Sequence, residues 1–153
     1  MFELDPAFLP TSEALVSLAL CEARLQLDAR FPWIVLVPRM AGAVELDDLT
    51  AADRLALLDE IAAAGRAVRA VGAAFGRPVA KLNVGQLGNI TRQLHVHVVG
   101  RREDDPAWPA PVWGQGTAVA YEASALAHAR AAAIQALNVP SPLAGEGGRE
   151  AVG

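Results

Sequence analysis

The sequence predicts an α+β fold: an antiparallel β-sheet with one long helix and a C-terminal helix. Apolar residues recur every three or four positions between Thr50 and Phe75, the spacing of one face of a helix. Polar and apolar residues alternate from Gln93 to Val99, the period of a half-buried strand. The short apolar run from Trp33 to Val37 lies between two prolines and predicts a buried strand.

The first strands are predicted before residue 40. Leu18 to Leu27 alternates with a period of two, which favours a strand, although alanine and leucine also suit a helix. Together with Trp33 to Val37, this segment predicts a hairpin around Asp28 to Pro32.

The long helix is predicted to begin at Thr50, where Asp53 completes a capping arrangement, and to stop at 76–78. Residues 80–84 alternate as a strand, and a glycine-punctuated turn follows at 85–89. The sum is two antiparallel strands, a helix, two more strands, a long loop and a helix.

The C-terminal third begins with the proline-rich loop 104–116, which carries Trp108 and Trp113 as packing anchors. A final helix is predicted from 117 to 137. The length predicts a single domain over 1–137, and the glycine-rich residues 138–153 predict a disordered tail.

Composition excludes several classes of function. The net charge is -4 and the basic residues are scattered, so bulk nucleic acid is not an expected partner. No apolar stretch is long enough to span a bilayer, and residues 1–10 do not resemble a signal peptide, so we expect no membrane partner. Cys21 lies in an apolar stretch, as a buried thiol in a reducing compartment would, which makes the cytoplasm the expected location.

The polar face of the last predicted strand carries Gln93, His95 and His97. Side chains two apart on a strand project side by side, with Cβ atoms about 6–7 Å apart. Neutral imidazole is nucleophilic, so His95 can attack phosphorus while His97 handles a proton or binds a phosphate oxygen. A zinc site is one alternative, since Glu103 and Asp104 follow; two histidines bonded to neighbouring carbonyls are another.

The surroundings of the two histidines favour phosphate chemistry. Gly88 and Asn89 lie in a turn whose backbone N–H groups can bind an anion, and Arg101 follows the strand. A nucleophile, amide donors and a cation are the groups that phosphoryl transfer requires.

The segment from Leu87 to Arg101 resembles the histidine triad (HIT) superfamily motif, His-φ-His-φ-His-φ-φ with φ apolar, which follows a Gly-Gln or Gly-Asn turn. In this chain the segment is LGNITRQLHVHVVGR. The resemblance extends to Leu27-Asp28, Trp33 to Arg39, Asn83 and the tryptophan-containing loop, and covers most of residues 15 to 137.

The resemblance implies a HIT-like fold and a role for each matching residue. His95 matches the nucleophile that attacks the α-phosphorus of a nucleotide and is transiently nucleotidylated. His97 matches a histidine that contacts phosphate oxygens and assists the leaving group. Asn89 matches a phosphate contact, Asn83 a residue lining the same pocket, and Asp28 the residue that binds the ribose hydroxyls.

Two positions depart from the family pattern. Gln93 replaces the first histidine; glutamine can orient a phosphate by hydrogen bonds but cannot titrate. Ile90 lies where many relatives carry a small hydroxyl residue. The amides from Gly88 to Thr91, together with Arg101, are expected to stabilise charge on the phosphoryl oxygens.

The expected function is cleavage of a nucleoside α-phosphate bond, in a dinucleoside polyphosphate or a nucleoside phosphoramidate, by a homodimer that pairs through the long helix and strand edges. No protein-bound metal is expected, although Mg²⁺ can arrive on the polyphosphate. A second hypothesis, motivated by Gln93, is a nucleotide-binding module without turnover. A third is a metal-binding protein.

Overall fold

The computed structural model describes residues 1–140 as a five-stranded sheet with two α-helices. All neighbouring strands are antiparallel, in the order β1-β2-β3-β5-β4. The predicted α+β class, with one long helix and a C-terminal helix, is confirmed. The elements are β1 (Ser12–Ser17), β2 (Cys21–Gln26), β3 (Trp33–Pro38), α1 (Ala51–Ala74), β4 (Lys81–Gly85), β5 (Val96–Arg101) and α2 (Ala123–Leu137).

The predicted hairpin around Asp28 to Pro32 is confirmed, since β2 pairs antiparallel with β3, but its first strand is shorter than predicted. Residues 21–26 form a strand, as predicted, but residues 18–20 belong to a tight turn in which the Leu18 N–H donates to the Cys21 carbonyl. The strand before this turn, β1, was not predicted. Its register with β2 shifts between Ala14 and Val16, and this irregularity obscures the period of two.

α1 lies close to its predicted extent, whereas α2 ends at the predicted residue but begins later than predicted. Thr50 caps α1 as predicted, since its hydroxyl accepts the Asp53 N–H. α2 begins at Ala123 rather than 117, because Val119 is bonded to the loop before β3 instead. Within residues 1–140, neither helix has both the length and the apolar character that crossing a bilayer requires. The predicted tail lies outside the described residues from 141 onwards.

The two faces of the sheet have different coverings. Ile34 and Leu36 of β3, with Val96 and Val98 of β5, belong to the core cluster that includes the buried side of α1. The opposite face is covered by residues 1–11, here called the N-terminal segment, and by the loop after β5. Side chains of that second cluster include Phe8, Phe31, Trp33, Val35, Val37, Val99 and Val112. The alternation on β5 therefore directs His97 to the face opposite the helices.

Glu60 connects α1 to the first hairpin. Its buried carboxylate accepts the backbone N–H groups of Leu20 at 2.6 Å and Cys21 at 2.9 Å. Burial raises the pKa of the Cys21 thiol, and the neighbouring Glu60 carboxylate raises it further, so this thiol is inert.

Replacing Glu60 with alanine is expected to lower the free energy of unfolding by about 2 kcal/mol, because two buried N–H groups lose their acceptor. Urea denaturation measures the loss. The control is Asp59→Ala, one position along α1 on its exposed side, which should cost much less. Equal losses from the two variants would show that the carboxylate does not stabilise the turn.

Candidate active site

His95 and His97 contact each other on the face of the sheet opposite the helices. Their ring centroids lie 4.8 Å apart with the ring planes at 80°. His97 is on β5, where it pairs with Val35 of β3 and Gly85 of β4. His95 precedes β5, which begins at Val96 rather than at Gln93 as predicted, because Leu94 is instead bonded to the Ala43 carbonyl.

The backbone fixes the tautomer of His95. Its Nδ1 lies 2.7 Å from the carbonyl oxygen of Gln93, which can only accept, so Nδ1 carries the proton. The Nε2 lone pair of the neutral ring is then available to attack an electrophile. Phe8 packs edge-on against the same ring at 5.1 Å, and the residue is only 6% exposed. His95 thus has a free Nε2 lone pair when the ring is neutral, and Phe8 shields the ring from solvent.

His97 is enclosed by two tryptophans. The indole Nε1 of Trp33 donates to His97 Nδ1 at 3.0 Å, and the ring of Trp113 lies 5.5 Å away, centroid to centroid. Burial, with a smaller contribution from the neighbouring His95, lowers the pKa of His97 to about 4. His97 is therefore neutral at pH 7.

The loop between β4 and β5 has free backbone donors. Gly88 adopts a left-handed conformation with φ of 69°. Within residues 1–140, the N–H groups of Gly88 to Arg92 have no protein acceptor. Asn89 is exposed and Thr91 is half-buried, so both remain accessible to a ligand. Such a row of unpaired amides is suited to an anion.

Both polar atoms of the Gln93 side chain are bonded to backbone groups near the N-terminus. Its Oε1 accepts the Asp5 N–H at 2.9 Å, and its Nε2 donates to the Glu3 carbonyl at 2.8 Å. The side-chain amide thus pairs with the backbone of the N-terminal segment, the same segment that carries Phe8. Gln93 thus has a structural role in this fold, and its predicted phosphate contact stays a prediction.

Arg101, for which the sequence predicts a phosphate contact, also has a structural role. It is 1% exposed, and its guanidinium forms two hydrogen bonds to Asp105 and one each to Asn83 and the Ala110 carbonyl. Asn83 is correspondingly engaged through its Oδ1, at 2.7 Å from Arg101 Nη1. This pair secures the loop after β5 against the sheet, and the substrate contacts predicted for both residues stay predictions.

Asp28 is 2% exposed, and its carboxylate is bonded to the Arg30 guanidinium and to the N–H groups of Arg30 and Val119. Burial alone would raise the pKa of Asp28, but these hydrogen bonds and the Arg30 charge hold it below its usual value. The predicted ribose contact stays a prediction. In the structure Asp28 joins two loops.

A cavity of about 250 Å³ lies at another place in the fold, between the loop before β3, the end of α1 and the start of α2. Its lining includes Phe31, Phe75 and Tyr121 but neither of the two histidines of the predicted site. No group of three His, Cys, Asp or Glu side chains that could hold a metal is found within residues 1–140.

The HIT domain family model matches residues 10–104, which is more than half of the chain. The chain belongs to the histidine triad family. A HIT protein from Sinorhizobium meliloti is 39% identical, with a TM-score of 0.78, and the match covers 88% of this chain and 96% of that one. A histidine triad protein from Bradyrhizobium japonicum is 34% identical, with a TM-score of 0.80 and coverage of 89% and 98%.

A third HIT protein, from Marinobacter aquaeolei, is 35% identical, with a TM-score of 0.80 and coverage of 90% and 96%. No curated protein matches the chain. Family membership supports a nucleotide-binding protein of HIT type.

Three contributors to this HIT site were not predicted from the sequence: Phe8 over His95, and Trp33 and Trp113 around His97. The alternation of side chains along β3 places Trp33 and Val35 on the same face. Because Val35 pairs with His97, this face is the one that carries the histidines. Nothing in the sequence pattern connects Phe8 to His95, because their contact depends on how the N-terminal segment crosses the sheet.

Proposed function

We propose that this HIT protein cleaves a nucleoside α-phosphate bond, in a dinucleoside polyphosphate or a nucleoside phosphoramidate, with His95 as the nucleophile. The observation that carries the proposal is the 2.7 Å contact between His95 Nδ1 and the Gln93 carbonyl, which places the proton of the neutral ring on Nδ1 and leaves the Nε2 lone pair free. A histidine without this contact would divide its proton between the two nitrogens.

In the first step, His95 Nε2 forms a bond to the α-phosphorus while the bond from phosphorus to the leaving oxygen or nitrogen breaks. The leaving group departs with the electron pair and takes a proton from solvent. The imidazole becomes a cation that still bears the Nδ1 proton, and the Gln93 carbonyl stabilises it by accepting that proton's hydrogen bond.

In the second step, water attacks phosphorus, the P–N bond breaks, and the electron pair returns to Nε2 while the water proton leaves to solvent. The proposed ligands of the phosphoryl oxygens are the amides of Gly88 to Thr91, the Asn89 side chain and His97. Splitting the hydrolysis through a covalent intermediate replaces one difficult step by two easier ones.

The test is a panel of dinucleoside polyphosphates and nucleoside phosphoramidates, with products separated by chromatography and a nucleotidyl adduct sought by mass spectrometry. Wild-type protein should release a nucleoside monophosphate and carry the adduct on His95, whereas His95→Asn should do neither. The matched control is His128→Asn, which changes a histidine at the α1–α2 contact and should retain activity. Turnover by His95→Asn would overturn the proposal.

A second candidate function is a nucleotide-binding module without turnover. The observation that favours it is that His95 is 6% exposed beneath Phe8. This candidate predicts that labelled nucleotide binds wild type and His95→Asn equally, with no product from either.

Two further proposals concern partners. Mg²⁺ would accompany a polyphosphate substrate, so EDTA should slow cleavage of polyphosphates more than cleavage of phosphoramidates.

A homodimer is supported by the exposed Leu55 and Leu58 on α1 and by the position of β4 at one edge of the sheet. Sedimentation equilibrium measures the oligomeric state.

A further inference from the structure

The hydrogen bond between Trp33 and His97 determines where the His97 proton lies. An indole N–H only donates, so His97 Nδ1 must accept and carries no proton. Neutral imidazole has one N–H group, which is therefore at Nε2. Within residues 1–140, no protein acceptor is bonded to this Nε2–H. The ring presents one fixed donor.

Adding a second proton to His97 would place it on Nδ1, where it would face the Trp33 N–H at a heavy-atom distance of 3.0 Å. Two N–H groups cannot point at each other, so protonation requires the two rings to separate. Trp33 cannot move easily, because it is buried and packs edge-on against Phe31 at 6.4 Å and Trp113 at 6.1 Å. The fold therefore opposes protonation of His97.

We propose that Trp33 is a positioning residue that holds His97 as a neutral Nε2–H donor, so that His97 binds a phosphoryl oxygen and transfers no proton. The inference rests on the proposed function of the same site and decides between the two roles that the sequence left open for His97. The proton that the leaving group needs then comes from solvent.

The neighbours of His97 make this assignment testable by NMR. Trp33 from β3, Gly85 from β4 and Trp113 from the following loop surround the ring, and His95 is the titratable side chain beside it. Long-range ¹H–¹⁵N spectra of the ligand-free protein distinguish a protonated from an unprotonated ring nitrogen. This measurement does not depend on turnover.

In wild-type protein, His97 should show an unprotonated Nδ1 and a protonated Nε2 throughout pH 5.5 to 8. Trp33→Phe keeps an aromatic ring but removes the N–H, and should give a mixture of tautomers. The matched control is Trp113→Phe, which changes the other indole beside His97 and should leave the tautomer unchanged. A wild-type Nδ1 that is protonated, or a Trp33→Phe spectrum identical to that of wild type, would overturn the proposal.

The activity arm compares His97→Gln with His97→Leu. A glutamine Nε2–H can replace the imidazole Nε2–H but cannot titrate, so a donor role predicts that His97→Gln keeps kcat within about tenfold of wild type while His97→Leu loses about 100-fold. Equal losses in both variants would assign proton transfer to His97 and overturn the inference. If no protein turns over, the proposed function fails, and the NMR result still decides the role of Trp33.

Discussion

Replacing Arg101 with leucine is expected to lower the free energy of unfolding by about 3–5 kcal/mol, because it leaves the buried Asp105 carboxylate without its cation. The same change removes the partners of Asn83 and of the Ala110 carbonyl. The loop after β5 carries Trp113, so its release should also disturb the surroundings of His97. Urea denaturation with circular dichroism measures the loss.

The neighbouring Arg102 provides a matched control. It pairs with Asp104, whose side chain is 62% exposed, and solvent screens such a pair. Arg102→Leu should therefore change stability little. Losses of similar size in the two variants would contradict the explanation from buried charge.

The pH dependence gives a second control on Arg101. Burial alone would raise the pKa of Asp105, but Arg101 and the N–H groups of Arg102 and Ala107 hold it below its usual value. A lowered pKa stabilises the folded state above the unfolded-state pKa, and this contribution is lost as the pH falls. Without Arg101, burial should dominate and raise the pKa. The deficit of Arg101→Leu should therefore shrink between pH 7 and pH 4.

Replacing Gln93 with leucine is expected to release the N-terminal segment from the site. Two hydrogen bonds to the Glu3 and Asp5 backbone are lost, and about 1 kcal/mol for each corresponds to roughly 30-fold more frequent local opening. Hydrogen exchange at the Asp5 amide should accelerate by this factor. Because Phe8 lies on the same segment, diethylpyrocarbonate should also modify His95 faster, as peptide mapping can measure.

The control for this experiment is Gln86→Leu. Gln86 lies in the same loop and bonds through its side chain to the exposed Glu45 at 3.3 Å, without touching the N-terminal segment. It should leave exchange at Asp5 and modification of His95 unchanged. If Gln93→Leu behaves in the same way, the segment is held by its apolar packing rather than by the glutamine.

The parts of the fold that the sequence predicts best are those with local causes. The start of α1 depends on the Thr50 cap, and the extent of β3 depends on the prolines that flank it. Both predictions are confirmed. β1 depends on pairing with β2 through a shifted register, which a local pattern does not contain. The start of α2 was wrong because residue 119 is bonded to the distant Asp28 loop.

The candidate site shows the same division. The contact between His95 and His97 follows from their spacing of two. Spacing does not reveal whether a polar side chain is free for a ligand or already used by the protein. The side chains of Gln93, Arg101 and Asp28 could all bind phosphate or ribose. Each is instead bonded to another segment of the protein: Gln93 to the N-terminal segment, Arg101 to the loop after β5, and Asp28 to the loop before α2.

The strand order has a consequence for how the protein folds. β1, β2 and β3 are consecutive neighbours, and β4 and β5 form a second local pair, so both units can assemble from nearby residues. The pairing of β3 with β5 is the long-range step, which must close a loop containing all of α1. Trp33 and His97 lie on opposite sides of this seam. The tryptophan and the histidine therefore meet only when the sheet is completed, and a partly folded chain lacks the hydrogen bond between them.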